Sequence, residues 1–190
     1  MTVAVDIIFD LDGTLVDSAP HIAAILTQVA GREIHASQTR QYLTKGGEQL
    51  ISALLGDESL DENLARFREL YISHPTPDCL YSGVRDGLDR LASAGRKMAI
   101  CSNKPQILCD KIVADLGLGH FSAIIGGARK PSPQPLTATL YVGDSIVDYD
   151  TAALSKIPFA FVTYGYADPG FNTDSPQFDT FADVVDFALQ

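Results

Sequence analysis

Two aspartates near the start of the chain, Asp10 and Asp12, have the type and spacing that nucleophilic and acid–base chemistry needs. They follow an apolar, β-branched run, residues 3–9, whose pattern predicts a buried strand. We therefore expect both carboxylates on one side of the strand's carboxyl end, where open α/β sheets bind ligands. One carboxylate would act as a nucleophile and the other as a general acid and base. An acidic turn closing a hairpin is the alternative for this pair taken alone.

Three further polar segments each follow a predicted strand. They are Ser102-Asn103-Lys104 after residues 97–101, Lys130 after residues 123–125, and Gly143-Asp144-Ser145 with Asp148 after residues 140–142. Because parallel strands end at one edge of a sheet, these groups can converge on the aspartate pair. Taken singly, each has a structural explanation, such as a helix cap or a solvated loop lysine. Together they predict a phosphoryl-transfer site with a hydroxyl and an ammonium for phosphate and carboxylates for Mg²⁺.

The elements that must position these groups alternate along the chain as strands and helices. This alternation predicts an α/β fold with a Rossmann-like parallel sheet. Residues 15–80 break the pattern, since they contain four helical segments and no convincing strand. We therefore predict an α-helical cap domain at 15–80, inserted into an α/β core domain formed by 1–14 and 81–190.

Composition excludes several classes of function. The 190 residues carry a net charge of −10 with 46% hydrophobic residues, which indicates a folded protein without the basic stripe of a nucleic-acid binder. No apolar run is long enough to predict a membrane span, and the first strand begins without a leader pattern. Three cysteines without metal-ligand spacing fit a reducing compartment, so we expect the cytoplasm. An acidic site that binds an anion favours a divalent cation as partner.

The motifs resemble those of the haloacid dehalogenase superfamily. They are Asp-Leu-Asp-Gly-Thr-Leu-Val-Asp-Ser at 10–18, Ser-Asn-Lys-Pro at 102–105, Lys-Pro-Ser-Pro at 130–133 and Val-Gly-Asp-Ser-Ile-Val-Asp at 142–148. Within the superfamily the chain is most similar to the phosphoglycolate phosphatases, and Thr-Tyr-Gly-Tyr at 163–166 supports that subgroup. The resemblance implies a Mg²⁺-dependent phosphatase that hydrolyses a small phosphate monoester through an aspartyl-phosphate intermediate.

The resemblance also implies roles for the residues that match the motifs. Asp10 attacks phosphorus, and Asp12 protonates the leaving oxygen and then activates water. Ser102 and the backbone of Asn103 bind phosphate oxygens, and Lys130 offsets the charge of Asp10 and the phosphate. These roles agree with the dominance of positioning and charge stabilisation in phosphoryl transfer.

The metal site and the cap complete the expected machinery. The resemblance places Mg²⁺ on Asp10, on the backbone carbonyl of Asp12 and on Asp144, with Asp148 in support. In the predicted cap, Lys45-Gly46-Gly47 lies in a loop whose glycines permit close approach to a ligand. We expect this loop to determine specificity by contacting the leaving group, with a solvated Lys45 as the alternative.

One segment departs from the family pattern. Residues 131–139, which include Pro131, Pro133 and Pro135, replace the helix that normally precedes the strand at 140. A natural shortening and a missing stretch of sequence both explain this. We expect one face of the sheet to be left partly uncovered and available for a homodimer.

Three other functions remain open at this stage. A β-phosphoglucomutase-like phosphosugar mutase shares all four motifs. A catalytically impaired binding protein with the same fold is supported by the shortened segment. A signalling receiver module also uses an aspartate, a hydroxyl and a lysine, but it lacks an inserted cap and carries its acidic pair elsewhere.

Overall fold

The computed structural model describes residues 3–132, 134–167 and 170–190, and in it consecutive helices after β2 interrupt a mixed series of strands and helices. The strands are β1 (Val3–Ala4), β2 (Ile7–Phe9), β3 (Met98–Cys101), β4 (Phe121–Ile125), β5 (Leu136–Thr137), β6 (Leu140–Gly143), β7 (Phe159–Val162) and β8 (Gln177–Phe178). The helices are α1 (Ala19–Ala30), α2 (Ala36–Leu43), α3 (Gly47–Leu55), α4 (Leu60–Ser73), α5 (Val84–Ser93), α6 (Gln106–Asp115), α7 (Ile146–Ser155) and α8 (Phe181–Ala188). No described helix has the length and apolar character to cross a membrane.

Six of these strands form one sheet in the order β4-β3-β2-β6-β7-β8, and every neighbouring pair is parallel. Strand β2 lies near the middle, between β3 and β6. The carboxyl ends of β2, β3, β4 and β6 therefore lie along one edge. This confirms the predicted α/β fold with a parallel sheet.

The predicted first strand at 3–9 is interrupted rather than continuous. Strand β1 pairs with β5, and β2 pairs with β6 in the same register, so the break falls at Val5 and Asp6. There the carbonyl of Asp6 accepts hydrogen bonds from the amides of Thr139 (3.0 Å) and Leu140 (3.2 Å). The shortened segment after Lys130 thus supplies a strand, β5, which the sequence reading did not predict; Pro133 lies outside the described residues.

Alternating side chains of the sheet enter two apolar clusters, as expected for a sheet covered on both faces. On one face Phe9 and Ile100 pack with residues of α5 and α8. On the other face Ile8 and Cys101 pack with Leu136 of β5 and with residues around α7. The central strands β2, β3, β6 and β7 are buried, whereas the edge strands β4 and β8 are half-buried or exposed. The partly uncovered face and homodimer formation therefore stay predictions.

Helices α1 to α4, which lie between β2 and β3 in the sequence, pack on one another. We propose that residues 15–80 are the predicted cap domain. The two connections to the sheet lie side by side. Val16 and Leu80 form an antiparallel bridge, the amide of Asp17 donates to the carbonyl of Cys79 (2.8 Å), and that of Tyr81 donates to Leu15 (3.0 Å). Paired connections of this kind suit a hinge.

Candidate active site

Asp10 lies directly after β2 and is held in a buried ion-pair network. Its backbone amide donates to the carbonyl of Val142 on the neighbouring strand (2.9 Å), which fixes the start of the turn. Lys130 Nζ contacts Asp10 Oδ1 at 2.7 Å and Asp148 Oδ1 at 2.5 Å. The Lys130 side chain is only 4% exposed. The structure thus brings Lys130 to Asp10 in spite of the shortened segment that follows it.

The charges in this network are unbalanced. Burial, followed by the nearby Asp148 carboxylate, raises the pKa of Asp10 to about 7, although Lys130 partly offsets the effect. Burial disfavours the Lys130 ammonium, but the carboxylates of Asp10 and Asp148 outweigh it, so the pKa of Lys130 is raised. Burial and the charges of Asp148 and Asp10 also raise the pKa of Asp144 well above its ordinary value. Three buried carboxylates and one ammonium leave a negative excess, which a bound cation would offset.

The same carboxylates provide a fitting set of metal ligands. Asp10, Asp144 and Asp148 each present a carboxylate oxygen within 4.8 Å of the others. One oxygen of Asp144, Oδ2, accepts a hydrogen bond from the amide of Tyr166 (2.5 Å). The other, Oδ1, is buried and has no hydrogen-bond partner among the described residues. An unpartnered buried carboxylate oxygen beside two other carboxylates suits a hard cation such as Mg²⁺.

Glycine is required where the backbone approaches these carboxylates. Gly13 has φ +90°, and a Cβ built there would lie 2.1 Å from Asp144 Oδ2. A Cβ at Gly165 would lie 2.4 Å from the same oxygen. The loops after β2 and β7 therefore close around Asp144 in a way that other residues would prevent.

Asp12 lies in the same small cavity as Asp10, Ser102 and Lys130. Its Oδ1 accepts hydrogen bonds from the Ser18 hydroxyl (2.5 Å) and lies 3.2 Å from Lys104 Nζ. The side chain is thus anchored through one oxygen. Burial disfavours the Lys104 ammonium, but the Asp12 carboxylate outweighs this and raises the pKa of Lys104.

The segment after β3 positions both phosphate-binding candidates. Ser102 is buried, and its hydroxyl accepts a hydrogen bond from the amide of Lys104 (3.2 Å). The Asn103 side chain forms hydrogen bonds with both the N–H and the carbonyl of Lys130. The amide of Lys130 donates to Asn103 Oδ1 (2.6 Å), and Asn103 Nδ2 donates to the Lys130 carbonyl (3.3 Å). Asn103 therefore acts on Lys130 through its side chain, in addition to the expected backbone role.

The predicted cap loop lies over this edge of the sheet. Leu43 and Thr44 line the small cavity together with Asp10. Lys45, Gly46 and Gly47 instead line a larger cavity of about 310 Å³, which Asp12 also borders. Gly47 is already the first residue of α3, and Lys45 is exposed with Nζ 5.5 Å from the centre of the Tyr42 ring. The loop lies close to the site, but among the described residues the Lys45 side chain forms no hydrogen bond or ion pair with a group of the site.

Sequence reasoning missed several residues of this site. Ser18 and Lys104 lie inside the recognised motifs, yet their contact with Asp12 depends on how α1 and the loop after β3 meet in space. The Tyr141 hydroxyl donates to Asp148 (3.3 Å) from within an apolar strand. Tyr166 binds Asp144 through its backbone amide, for which its side chain gives no signal.

Comparisons with known proteins identify the family of this chain. A model of the family described as haloacid dehalogenase-like hydrolase matches residues 7–162. A phosphoglycolate phosphatase of Cereibacter sphaeroides is 36% identical over 84% of this chain and 85% of that protein. One of Aquifex aeolicus is 32% identical over 90% of each. The crystal structure of a predicted phosphoglycolate phosphatase from Haemophilus somnus shares the fold, with a TM-score of 0.79 at 24% identity over 98% of this chain and 99% of that one. The chain therefore belongs to the family of haloacid dehalogenase-like hydrolases and is one of its phosphatases.

Proposed function

We propose that this enzyme hydrolyses a small phosphate monoester, with phosphoglycolate as the first candidate, through an aspartyl phosphate on Asp10 and with Mg²⁺ bound. The observation that carries the proposal is the contact of Lys130 with Asp10 and Asp148 in a buried pocket that also holds Asp12 and Ser102. The similarity to phosphoglycolate phosphatases supports the substrate.

In the first step a carboxylate oxygen of Asp10 attacks phosphorus, and the bond between phosphorus and the ester oxygen breaks. Asp12 gives its proton to that oxygen, so the alcohol leaves neutral. In the second step Asp12 takes a proton from water, whose oxygen attacks phosphorus and releases phosphate and Asp10. Lys130 and the Ser102 hydroxyl stabilise the phosphate oxygens throughout.

The carboxylates of Asp10 and Asp144 and the carbonyl of Asp12 would hold Mg²⁺, with Asp148 in support. When bound, the ion supplies positive charge that reduces repulsion between the Asp10 carboxylate and the anionic phosphate. The unpartnered Oδ1 of Asp144 supports this assignment.

The three cysteines support action in a reducing compartment, which we propose is the cytoplasm. All are free, and Cys101 and Cys109 are buried. Burial raises the pKa of Cys101 to about 11, so its thiol stays protonated and unreactive at neutral pH.

Phosphate release from phosphoglycolate and p-nitrophenyl phosphate tests the proposal. Asp10→Asn should abolish release at nearly unchanged side-chain volume, whereas Asp12→Asn should slow it by about 10²–10⁴-fold. Asp150→Asn, on α7 but outside the cavity, is the matched control and should retain activity. Mass spectrometry of acid-quenched enzyme should find one added phosphoryl group on the peptide that contains Asp10.

Near-normal phosphate release by Asp10→Asn would refute the covalent mechanism. Transfer of phosphate within a sugar phosphate, without release of inorganic phosphate, would favour the mutase instead.

A further inference from the structure

The larger cavity is lined by apolar and charged side chains, and two of the charged ones, Asp12 and Lys104, are little exposed. Apolar side chains reach it from α1, α4 and α6, among them Ile22, Phe67 and Leu108. Lys45, Glu48 and Arg68 also line it, but all three residues are exposed. Lys104 borders this cavity and the small cavity of Asp10, and its side chain is only 8% exposed. Lys104 is thus one of the residues, with Asp12, Leu43 and Asn103, that a ligand spanning both cavities can contact.

Lys104 is less fully paired than Lys130. Lys130 Nζ contacts two carboxylates at 2.7 and 2.5 Å. Within the described part of the chain, Lys104 Nζ has one carboxylate partner, Asp12 at 3.2 Å, and otherwise lies 5.2 Å from the centre of the Tyr71 ring. An ammonium has three donors, so Lys104 can accept a second anionic partner. A buried charge gains most from such a partner, because little water is present to solvate it.

We propose that Lys104 binds a carboxylate on the leaving group and thereby selects phosphate esters of small hydroxy acids. The inference rests on the proposed function, since it takes Asp12 as the residue that protonates the ester oxygen. That oxygen must then lie beside Asp12, and Lys104 Nζ is 3.2 Å from the same carboxylate. A carboxylate one carbon beyond the ester oxygen falls within reach of Lys104. This assigns to Lys104 the role that the sequence suggested for Lys45.

The test compares phosphoglycolate with ethyl phosphate, which has a similar size but lacks the carboxylate. Lys104→Met should lower kcat/KM for phosphoglycolate by about 10-fold or more relative to ethyl phosphate, because a hydrogen bond between charged groups is lost. Lys111→Met is the matched control. It removes a lysine of α6 that pairs with Asp115 outside both cavities, and it should leave the ratio unchanged.

Two outcomes would overturn the proposal. An equal loss for both esters in Lys104→Met would mean that Lys104 acts only by positioning Asp12. Loss of the preference in Lys45→Met, with the preference retained in Lys104→Met, would assign recognition to the cap loop. Circular dichroism checks that each variant is folded, and Lys104→Gln replaces Lys104→Met if the latter does not fold.

A binding measurement separates this inference from the proposed function. Titration calorimetry of Asp10→Asn with each ester, in Mg²⁺, reports recognition without turnover. Phosphoglycolate should bind more tightly than ethyl phosphate, and Lys104→Met in the same background should remove the difference. Equal affinities in Asp10→Asn would refute the role of Lys104, whereas tight binding without turnover by the wild type would refute only the proposed hydrolysis.

Discussion

Single side chains in this site act through residues far away in the sequence. Asn103 follows β3, yet its amide group binds both the N–H and the carbonyl of Lys130. Lys130 in turn pairs with Asp10 after β2 and with Asp148 on α7. Asn103, an uncharged residue, thus holds the backbone of the lysine whose ammonium lies beside Asp10, the proposed nucleophile.

We expect Asn103→Ala to lower kcat by about 10–100-fold, the typical effect of losing a group that orients a functional residue. Phosphate release under saturating substrate is the measurement. Asp150→Asn, which lies outside the cavity, is the matched control and should retain activity. Equal activity of Asn103→Ala and the wild type would show that Lys130 needs no such support.

The unpartnered oxygen of Asp144 leads to a prediction about stability. Mg²⁺ at 100 times its Kd should stabilise the native state by about 2.7 kcal/mol, which raises Tm by several degrees. Asp144→Asn should abolish most of this shift, and Asp150→Asn should retain it. EDTA should reverse the shift and stop hydrolysis. A shift of the same size in Asp144→Asn would place the ion elsewhere.

At the scale of elements, the loop after β7 joins the site to the start of α1. The Tyr166 amide donates to Asp144, and its hydroxyl donates to Asp17 (2.7 Å) and accepts from the Ala19 amide (3.2 Å). Burial raises the pKa of Tyr166 well above its ordinary value, so the hydroxyl keeps its proton. One residue thus contacts a metal-ligand candidate and the first connection to the proposed cap.

Tyr166→Phe removes these hydroxyl contacts and leaves the amide in place. We expect the unfolding free energy to fall by about 1–3 kcal/mol, because the Ala19 amide and Asp17 lose a buried partner. Urea denaturation measures the loss, and hydrogen exchange should show faster exchange at Ala19. Tyr164→Phe, which loses one bond to the Thr14 carbonyl, should leave exchange at Ala19 unchanged. Slow exchange at Ala19 in Tyr166→Phe would contradict the assignment.

At the scale of the whole molecule, a charged side chain of α6 in the sheet domain forms a hydrogen bond with the last residues of the proposed cap. The Asp115 carboxylate of α6 accepts hydrogen bonds from Lys111 Nζ (2.6 Å) and from the Thr76 amide (2.9 Å). These bonds, led by that from Lys111, lower the pKa of Asp115 from 3.8 to about 2. The contact therefore depends on an ionised carboxylate.

A lowered pKa gives stability that is present above pH about 4 and lost as pH falls towards 2. Asp115→Asn should accordingly lower Tm at pH 6. The difference in Tm between this variant and the wild type should shrink as the pH falls from 4 to 2. Scanning calorimetry across this range is the measurement. A difference that stays constant down to pH 2 would show that the carboxylate charge is not what joins Thr76 to α6.

The sequence by itself predicted the structural features that depend on residues close together in the chain. Alternating strands and helices predicted the parallel sheet, and the run from Asp10 to Gly13 predicted acidic groups at its edge. These features follow from side-chain periodicity and from backbone positions such as Gly13, whose φ of +90° favours glycine. Lys130 was also identified, because the order of the four polar segments after strands, and their resemblance to the family motifs, can be read along the chain.

Only the tertiary structure decided which groups touch. The sequence did not predict strand β5. Its two residues form a strand because they pair with β1, and the register of that pair continues in the pairing of β2 with β6. The pairing of Lys104 with Asp12 and the hold of Asn103 on Lys130 were missed for the same reason. The partner of a long side chain depends on distances, burial and charge balance in the packed protein. The spacing of residues along the chain does not determine these quantities.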